Sequence, residues 1–414
     1  MSLKTTDSKI FNLIKSEEKR QKETICLIAS ENYCSAAVRE AIGSVLTNKY
    51  SEGYPHKRYY AGQINADQIE EIAKERALKM FGLSDEKWHA NVQPYSGSPA
   101  NAEIYLALLE FGDTVMGMRL DQGGHITHGL PISFSGRAYK FVSYGVDPKT
   151  EKLDYDEILK IAKECKPKLI VCGATAYSRI IDFKKFREIA DAVGALLLAD
   201  ISHIAGLIVG GAHPSCFPYA DIAMTTTHKT LRGPRSAIII CKTELAEKID
   251  KAVFPGFQGG PHDHITAAKA VCFAEAMTAS FKKYSANIVK NCQALAKELQ
   301  KGGLRIVSGG TDNHLVLVDL RPLKITGKIA QLALEEVGIV VNKNTIPNDP
   351  EKPFVTSGLR LGAAAITTRG MAEGEMQKIA SLIVRTLEKY DDITHKKKIA
   401  SEVKKLATAF PVPN

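Results

Sequence analysis

The sequence of 414 residues has no uninterrupted apolar run of about 20 residues, the length that a membrane-spanning helix needs. Its first segment, MSLKTTDSKIFNLIKSEEKRQ, has no apolar signal core and carries several acidic side chains. We therefore expect neither a membrane span nor an export or transit peptide. With 44% hydrophobic and 24% charged residues, the composition is typical of a globular protein and not of a disordered one.

Paired cysteines and complete metal-ligand sets are also missing. The eight cysteines are dispersed along the chain and none forms a CxxC pair. This pattern excludes a disulfide framework and a structural zinc site, and it favours buried thiols in a reducing cytoplasm. His125 and His128, and likewise the run PHDH at 261–264, lack a third ligand at a suitable spacing. We therefore predict that the protein has no metal site.

The charge is unbalanced but uninformative about the class of partner. Lysine and arginine number 55 against 46 acidic residues, which gives a formal net charge of +9. Such an excess suits either nucleic acid or anionic small molecules. The basic runs at 395–398 and 404–405 are typical of a solvated helix face, and no aromatic residues are interleaved with them.

The middle of the chain alternates between apolar runs and helical patterns. The runs PKLIVCG (167–173), ALLLADISH (195–203), YADIAMTTT (219–227) and SAIIICK (236–242) read as strands, and DFKKFREIADAVG (182–194) reads as a helix. Continuous apolar strands separated by helices predict a parallel sheet covered on both faces. Ligands of such sheets bind beyond the carboxyl ends of the strands.

The pattern changes after about residue 265, which indicates a second unit. A long helical stretch leads into further strands and helices that predict a smaller α/β sheet. A chain of this length also exceeds what a single hydrophobic core usually covers. We therefore expect an N-terminal arm at 1–60, a large domain at 61–275 and a small C-terminal α/β domain at 276–414.

Lys229 is unusual because it follows directly on an apolar strand. Lysine is strongly hydrated and is rarely buried without a partner or a chemical purpose. It is therefore either the first exposed residue after the strand or an amine that forms a Schiff base with a carbonyl cofactor. Pyridoxal phosphate, the usual partner, needs a carboxylate at its ring nitrogen, donors for its phosphate, a cover for its ring and an arginine for the substrate carboxylate.

Each of these requirements has a candidate in the sequence. Asp200 ends the strand ALLLAD, and Ser96–Ser98 form a turn immediately before a helical pattern. His125 lies in the glycine-flanked loop GGHITHG, and Arg360 lies in SGLRLG. Each residue alone has a commonplace explanation as a cap, a turn or a surface ion pair. Their combination with Lys229 favours a pyridoxal-phosphate site.

Longer motifs identify a family. The sequence contains LIASENY (27–33), LTNKYSEGYPHKRYY (46–60), VQPYSGSPAN, GGHITHG, DISHIAGL (200–207), TTTHKTLRGPR, FPGFQGGP (254–261), SGGTDNHLVLVDL (308–320) and NKNTIPND (342–349). These motifs, in this order, resemble serine hydroxymethyltransferase over nearly the whole chain. The resemblance implies an α/β fold of the aspartate-aminotransferase-like type (fold type I). It further implies a mixed, mainly parallel seven-stranded sheet between helices, and a smaller C-terminal domain.

The resemblance also implies an activity and an assembly. The family transfers the hydroxymethyl group of serine reversibly to tetrahydrofolate, giving glycine and 5,10-methylenetetrahydrofolate, with pyridoxal phosphate as cofactor. Its members are homodimers or tetramers with shared active sites, so the arm at 1–60 is expected to make dimer contacts. Tyr50 and Glu52, with Gly259 and Gly260, are expected to reach the site of the partner subunit.

Individual roles follow from the same resemblance. The residues implied in catalysis are Lys229, Glu52, His203 and Tyr60. Those implied in cofactor binding are Ser96, Gly97, Ser98, His125, Thr175, Asp200, His203, His228, Lys229, Tyr50, Gly259 and Gly260. Those implied in binding serine and folate are Ser30, Glu52, Tyr60, Arg360, Leu120, Gly124, Ile126, Asn344 and Phe354. Whether Glu52 acts as an acid or a base stays open.

Two alternatives belong to other classes. A folate-independent threonine or β-hydroxy-amino-acid aldolase would share the cofactor site but would not need NKNTIPND. A nucleic-acid-binding paralogue that uses the positive charge would be expected to have lost Lys229, Asp200 or Arg360, and all three are present. We therefore predict a cytoplasmic transferase with neither nucleic-acid nor membrane partners.

Overall fold

The computed structural model describes residues 2–413. The strands are β1 (Ile25–Cys26), β2 (Gly53–Tyr54), β3 (Lys57–Arg58), β4 (Trp88–Asn91), β5 (Thr114–Met118), β6 (Lys140–Tyr144), β7 (Leu169–Cys172), β8 (Leu196–Asp200), β9 (Ile222–Thr226), β10 (Ala237–Lys242), β11 (Arg305–Ile306), β12 (Leu315–Asp319), β13 (Ile339–Val340), β14 (Asn342–Asn344) and β15 (Gly358–Gly362). The α-helices are α1 (Leu3–Thr6), α2 (Ser8–Glu23), α3 (Ala36–Ile42), α4 (Ile64–Met80), α5 (Gly97–Leu108), α6 (Phe134–Ala138), α7 (Tyr155–Cys165), α8 (Phe183–Val193), α9 (Ala205–Val209), α10 (Ala246–Lys251), α11 (Asp263–Ala276), α12 (Ala279–Lys301), α13 (Gly327–Glu336), α14 (Ala364–Thr368), α15 (Glu373–Glu388) and α16 (Ile393–Ala409).

The larger sheet has seven strands in the order β4-β10-β9-β8-β7-β5-β6. Strands β5 to β9 pair in parallel with one another. Strand β10 runs antiparallel to both of its neighbours, β9 and β4. Six strands therefore point the same way and one is reversed, which confirms the expected mixed, mainly parallel sheet.

The apolar runs form the central strands because both faces of the sheet are covered. All residues of β7 and β9 are buried. Helix α8 buries Phe183, Phe186, Ile189 and Ala190 along one side, as an amphipathic helix on a sheet does. Its N-cap residue is Asp182, whose carboxylate accepts from the Lys185 backbone N–H. Its C-cap residue is Gly194, whose φ of 69° suits glycine.

The second sheet is antiparallel, with the order β11-β12-β15-β14. The N-terminal segment joins this part of the molecule, since β1 pairs in parallel with β13 and the Gly362 N–H donates to the Leu27 carbonyl at 2.7 Å. One apolar cluster includes residues beside both sheets, among them Ile170 and Leu361. Strand β15 carries Arg360, which donates to the carbonyl of Thr175, three residues after β7, and so ties the second sheet to the larger one.

The helices and the cysteines bear on the expected environment of the protein. Within residues 2–413, none of the helices is both long and apolar enough to cross a membrane. All eight cysteines have free thiols, and six of them are buried. Most of the thiols are therefore buried like small apolar side chains, as the dispersed spacing indicated.

Candidate active site

The carboxyl ends of the parallel strands border a cavity of about 440 Å³. Asp200 is the last residue of β8, and Lys229 follows β9 by three residues. Fourteen of the residues singled out in the sequence line this cavity: Ser30, Ser96, Gly97, Ser98, Leu120, Gly124, His125, Ile126, Thr175, Asp200, His203, His228, Lys229 and Arg360. The fold thus brings most of the predicted site together at the edge where parallel sheets bind ligands.

Lys229 is held inside the cavity wall and is only 8% exposed. Burial lowers the pKa of its amine to about 8, and the positive charges of Arg360 and Arg235 add to the effect while Asp200 opposes it. The side-chain amide of Asn32 donates to the Lys229 backbone carbonyl at 2.9 Å, which fixes the main chain here. At pH 7 about a tenth of the amine is therefore uncharged, and hence nucleophilic, far more than for an ordinary lysine.

Asp200 is buried and surrounded by donors. Its Oδ2 accepts from Asn101 Nδ2 at 3.1 Å and lies 3.1 Å from His128 Nε2, while Oδ1 accepts from the Ser202 N–H at 3.2 Å. Burial pushes the pKa of this carboxyl upward, but the hydrogen bond and charge of His128 outweigh it and hold the pKa well below its usual range. Asp200 is therefore a carboxylate that can stabilise a cationic ring nitrogen.

His125 is oriented by its neighbour Thr127. The Thr127 backbone N–H donates to His125 Nδ1 at 3.2 Å, so this nitrogen is an acceptor. The Thr127 hydroxyl, which accepts from Asn101 Nδ2 at 2.8 Å, therefore donates its own proton to His125 Nδ1 at 2.7 Å. Burial lowers the pKa of His125 to about 4. A neutral imidazole held in one orientation suits stacking on a flat ring.

The N-terminus of α5 faces the cavity with N–H groups that could donate to an anion. Helix α5 begins immediately after Ser96, and the first N–H groups of a helix have no partner within it. A Cβ on Gly97 would lie 2.7 Å from Thr226 Cγ2, so only glycine lets the helix approach the end of β9 this closely. His228 also lines the cavity, and its Nδ1 is buried with no hydrogen-bond partner among the described residues.

Arg360 reaches the same cavity from the second sheet. Its Nη1 donates to the Thr175 carbonyl at 2.7 Å, and its Nε donates to Asn342 Oδ1 at 3.1 Å. The Thr175 hydroxyl in turn donates to the Gly124 carbonyl at 3.0 Å. Burial lowers the pKa of Arg360 to about 10, which leaves it cationic at neutral pH. A fixed guanidinium of this kind suits a carboxylate.

Seven predicted residues lie outside the cavity lining: Tyr50, Glu52, Tyr60, Gly259, Gly260, Asn344 and Phe354. The first five form a separate group, which we call the Tyr50–Gly260 patch. Glu52 Oε1 would lie 3.3 Å from a Cβ on Gly259, and the rings of Tyr50 and Tyr60 are 5.3 Å apart. Tyr50 is 57% exposed. Glu52 therefore does not reach the cavity of its own chain.

The two folate candidates in the second unit have little contact with the cavity. Asn344, at the end of β14, uses its side-chain amide to donate to the Thr345 carbonyl at 2.7 Å. Phe354 is 85% exposed.

The structure also adds residues that the sequence did not single out for the site. Further cavity-lining residues are Glu31, His128, Ala174, Ser202, Met224, Thr226 and Arg235. Asn101 and His128 hold Asp200, and the sequence offered a signal for both, since they lie within the motifs YSGSPAN and GGHITHG. No group of three potential metal ligands occurs in the described part of the chain.

Pyridoxal phosphate fits these residues on structural grounds. The cavity combines a buried amine, a buried carboxylate, and a helix N-terminus that a Cβ at residue 97 would obstruct. The unpaired Nδ1 of His228 adds a buried polar atom that lacks a partner. An amine, a carboxylate and a phosphate cradle in one cavity are the groups that this cofactor needs.

Comparison with known families agrees with this chemistry. A family model described as serine hydroxymethyltransferase matches residues 3–383, nearly all of the 414 residues. The family has fold type I, which agrees with the seven-stranded mixed sheet. The chain belongs to the serine hydroxymethyltransferase family and is a pyridoxal-phosphate-dependent transferase that converts serine and tetrahydrofolate reversibly to glycine and 5,10-methylenetetrahydrofolate.

Proposed function

We propose that the 440 Å³ cavity is the catalytic site of this reaction and that Lys229 is the amine that holds the cofactor. The observation that carries the proposal is the burial of Lys229 in the same cavity as the Asp200 carboxylate. When bound, pyridoxal phosphate supplies an electron sink for the bonds broken at the α-carbon of the amino acid. The chain's own residues bind, orient and exchange protons around it.

Asp200, His125 and the α5 N-terminus would hold the cofactor. The Asp200 carboxylate pairs with the ring nitrogen and keeps it protonated, since Asn101 and His128 hold that carboxylate in its charged form. The His125 imidazole would cover the ring. The α5 N-terminus, with Ser96, Gly97, Ser98 and His228, would bind the phosphate, and the Thr175 hydroxyl would contact the phenolic oxygen.

Arg360 and Ser30 would bind the carboxylate of serine or glycine. The guanidinium is suited to this role because two of its N–H groups are already fixed by Thr175 and Asn342. Leu120, Gly124 and Ile126 would contact folate at the mouth of the cavity, where Leu120 and Ile126 are exposed. Asn344 and Phe354 would contact it from the second unit.

We further propose a homodimer with shared active sites. In this arrangement the Tyr50–Gly260 patch of one copy completes the cavity of the other. Glu52 and Tyr60 then contact the hydroxymethyl group, and Tyr50, Gly259 and Gly260 contact the cofactor. The exposure of Tyr50 and Tyr60 in the single chain supports this arrangement. The same proposal includes dimer contacts made by an arm at 1–60. It also includes a large domain at 61–275, a small domain at 276–414 and a cytoplasmic setting.

The catalytic proposal is tested by absorption spectroscopy and turnover. The purified chain with pyridoxal phosphate should be yellow, and addition of glycine with tetrahydrofolate should produce a band at longer wavelength. Lys229→Ala should abolish the yellow colour and the turnover of serine. A colourless wild type, or unchanged turnover in Lys229→Ala, would contradict the assignment. A spectral response indifferent to folate would favour the aldolase.

A further inference from the structure

His203 lines the central cavity and also a second, smaller cavity behind it. The second cavity has a volume of about 10 Å³, which is close to the minimum that holds one water molecule. Its polar lining includes Tyr177, Arg179, His213, Asn313 and His314.

A hydrogen bond links His203 to His314. The Nδ1 of His203 lies 3.0 Å from the Nε2 of His314, and both rings are buried. Burial holds the pKa of His203 well below its ordinary value, and the charge of Lys229 lowers it further. The ring of His203 is therefore neutral and carries a single N–H. Which of its two nitrogens holds that proton decides what His203 offers to the central cavity.

The protonation of His213 follows from its partner. Its Nδ1 lies 2.9 Å from the Pro214 carbonyl, which can only accept, so Nδ1 carries the proton. Burial lowers the pKa of His213, so the ring is neutral and Nε2 is an acceptor. That Nε2 and the Nδ1 of His314 are both buried without a hydrogen-bond partner among the described residues. Both histidines line the small cavity.

We propose that the small cavity binds one water molecule, which donates one hydrogen to His213 Nε2 and the other to His314 Nδ1. Burial lowers the pKa of His314 to about 3, so its ring is neutral. With Nδ1 accepting from the water, its single proton is on Nε2, from which it donates to His203 Nδ1. His203 is thereby fixed with its own proton on Nε2. No proton is transferred, since each donor group keeps the hydrogen that it donates. His213 and His314 are positioning residues, because they act through His203.

The consequence for the reaction rests on the proposed function. His203 lines the central cavity that would hold the cofactor and the amino acid, whose oxygen atoms are acceptors. An Nε2–H offers them a hydrogen bond, whereas the other tautomer places an unprotonated nitrogen against them. Through His314, the water thus favours the tautomer of His203 that has its proton on Nε2 and can donate to these oxygen atoms.

The first test reads the tautomer directly. ¹⁵N-histidine-labelled enzyme is studied by NMR with and without pyridoxal phosphate, and His203 is assigned by loss of its signals in His203→Asn. We expect the His203 proton on Nε2 in both samples. A proton on Nδ1 would overturn the proposal. Because the sample without cofactor reports the same tautomer, this test is independent of cofactor binding and therefore of the proposed function.

The second test removes the acceptor for the water. His213→Leu should give mixed tautomers at His203 and lower kcat/KM roughly three- to tenfold, as expected for one lost hydrogen bond in a chain. His213→Gln keeps an acceptor near the position of Nε2. It should restore the single tautomer of His203 and most of kcat/KM. His395→Leu, on α16 far along the chain, is the matched control and should change neither. An unaltered His203 spectrum in His213→Leu would contradict the proposal, whatever the activity.

A crystal structure of the enzyme gives the third reading. One ordered water should lie within hydrogen-bonding distance of both His213 Nε2 and His314 Nδ1. Absence of density in the cavity at a resolution that shows other buried waters would overturn the proposal.

Discussion

Burial alters the acid–base behaviour of Lys229 more than any neighbouring charge does. Because its pKa is lowered to about 8, the amine is protonated below that pH and free above it. We predict that the rate of pyridoxal phosphate uptake by the cofactor-free protein rises about tenfold per pH unit and levels off near pH 8. Stopped-flow absorbance measures this rate. A rate that continues to rise to pH 10 would indicate an ordinary, hydrated lysine.

A second buried group, Glu103 on α5, is unused by the proposed site. Both of its carboxyl oxygens are buried with no hydrogen-bond partner among the described residues. Burial raises its pKa to about 8, although the charge of Lys269 acts in the opposite direction. The folded chain therefore holds a proton here that the unfolded chain releases near pH 4.3. The stability linked to this proton is present at low pH and is lost as the pH rises through about 8.

We predict that Glu103→Gln removes this loss. Relative to wild type, the free energy of unfolding of the variant should increase by about 1.4 kcal/mol per pH unit between roughly pH 5 and 8. Denaturant unfolding at several pH values measures the difference. The control is Glu110→Gln, two residues beyond the end of α5, where the side chain is exposed. A difference that does not vary with pH would show that Glu103 is not protonated in the folded state.

At the scale of elements, the site depends on how closely the start of α5 approaches the end of β9. The contact is between Gly97 and Thr226 Cγ2, where an added Cβ would be only 2.7 Å away. We predict that Gly97→Ala moves the helix start and weakens pyridoxal phosphate binding by roughly five- to 150-fold, since overpacking costs about 1–3 kcal/mol. Titration followed by absorbance measures the dissociation constant.

The same contact offers a compensating change. Thr226→Ser removes the methyl group in conflict, so the double variant Gly97→Ala/Thr226→Ser should recover most of the affinity. Gly374→Ala is the control, because nothing lies within 4 Å of its added Cβ. It should bind the cofactor like wild type. Equal weakening in the single and double variants would show that crowding at Thr226 is not the cause.

At the scale of the whole molecule, the separation of the Tyr50–Gly260 patch from the cavity predicts complementation between inactive chains. Lys229→Ala and Glu52→Gln should each be nearly inactive in serine cleavage. In a mixed dimer, one site has both changes and the other has neither. Mixed dimers isolated with two affinity tags should therefore have about half of the wild-type activity.

A matched pair tests the geometry of this complementation. Lys229→Ala and Asp200→Asn alter the same cavity, so every site in their mixed dimer is defective and little activity should return. Absence of recovery with Lys229→Ala and Glu52→Gln would show that Glu52 acts in its own subunit. It would then be necessary to explain how Glu52 reaches a cavity that it does not line.

The strands and much of the cavity could be predicted from the sequence because their signals are local. Continuous apolar runs predicted β7 to β10, since strands buried on both faces need such residues. Lys229 and Asp200 follow or end such strands, and parallel strands bring their carboxyl ends to one edge. The motifs shared with the family supplied the remaining candidate residues, and their separate roles remain predictions.

The hydrogen-bond partners were decided only by the tertiary structure. His203 meets His314 across 111 residues, and Asp200 meets Asn101 across 99. Contacts of this kind have no periodic signature, because they depend on how separate elements pack. The same holds for the position of Glu52, which lies in a motif beside other site residues but folds against Gly259 and outside the cavity. The sequence by itself determined which chemical groups are present and on which elements they lie. Packing of separate elements decided which of these groups form hydrogen bonds with one another.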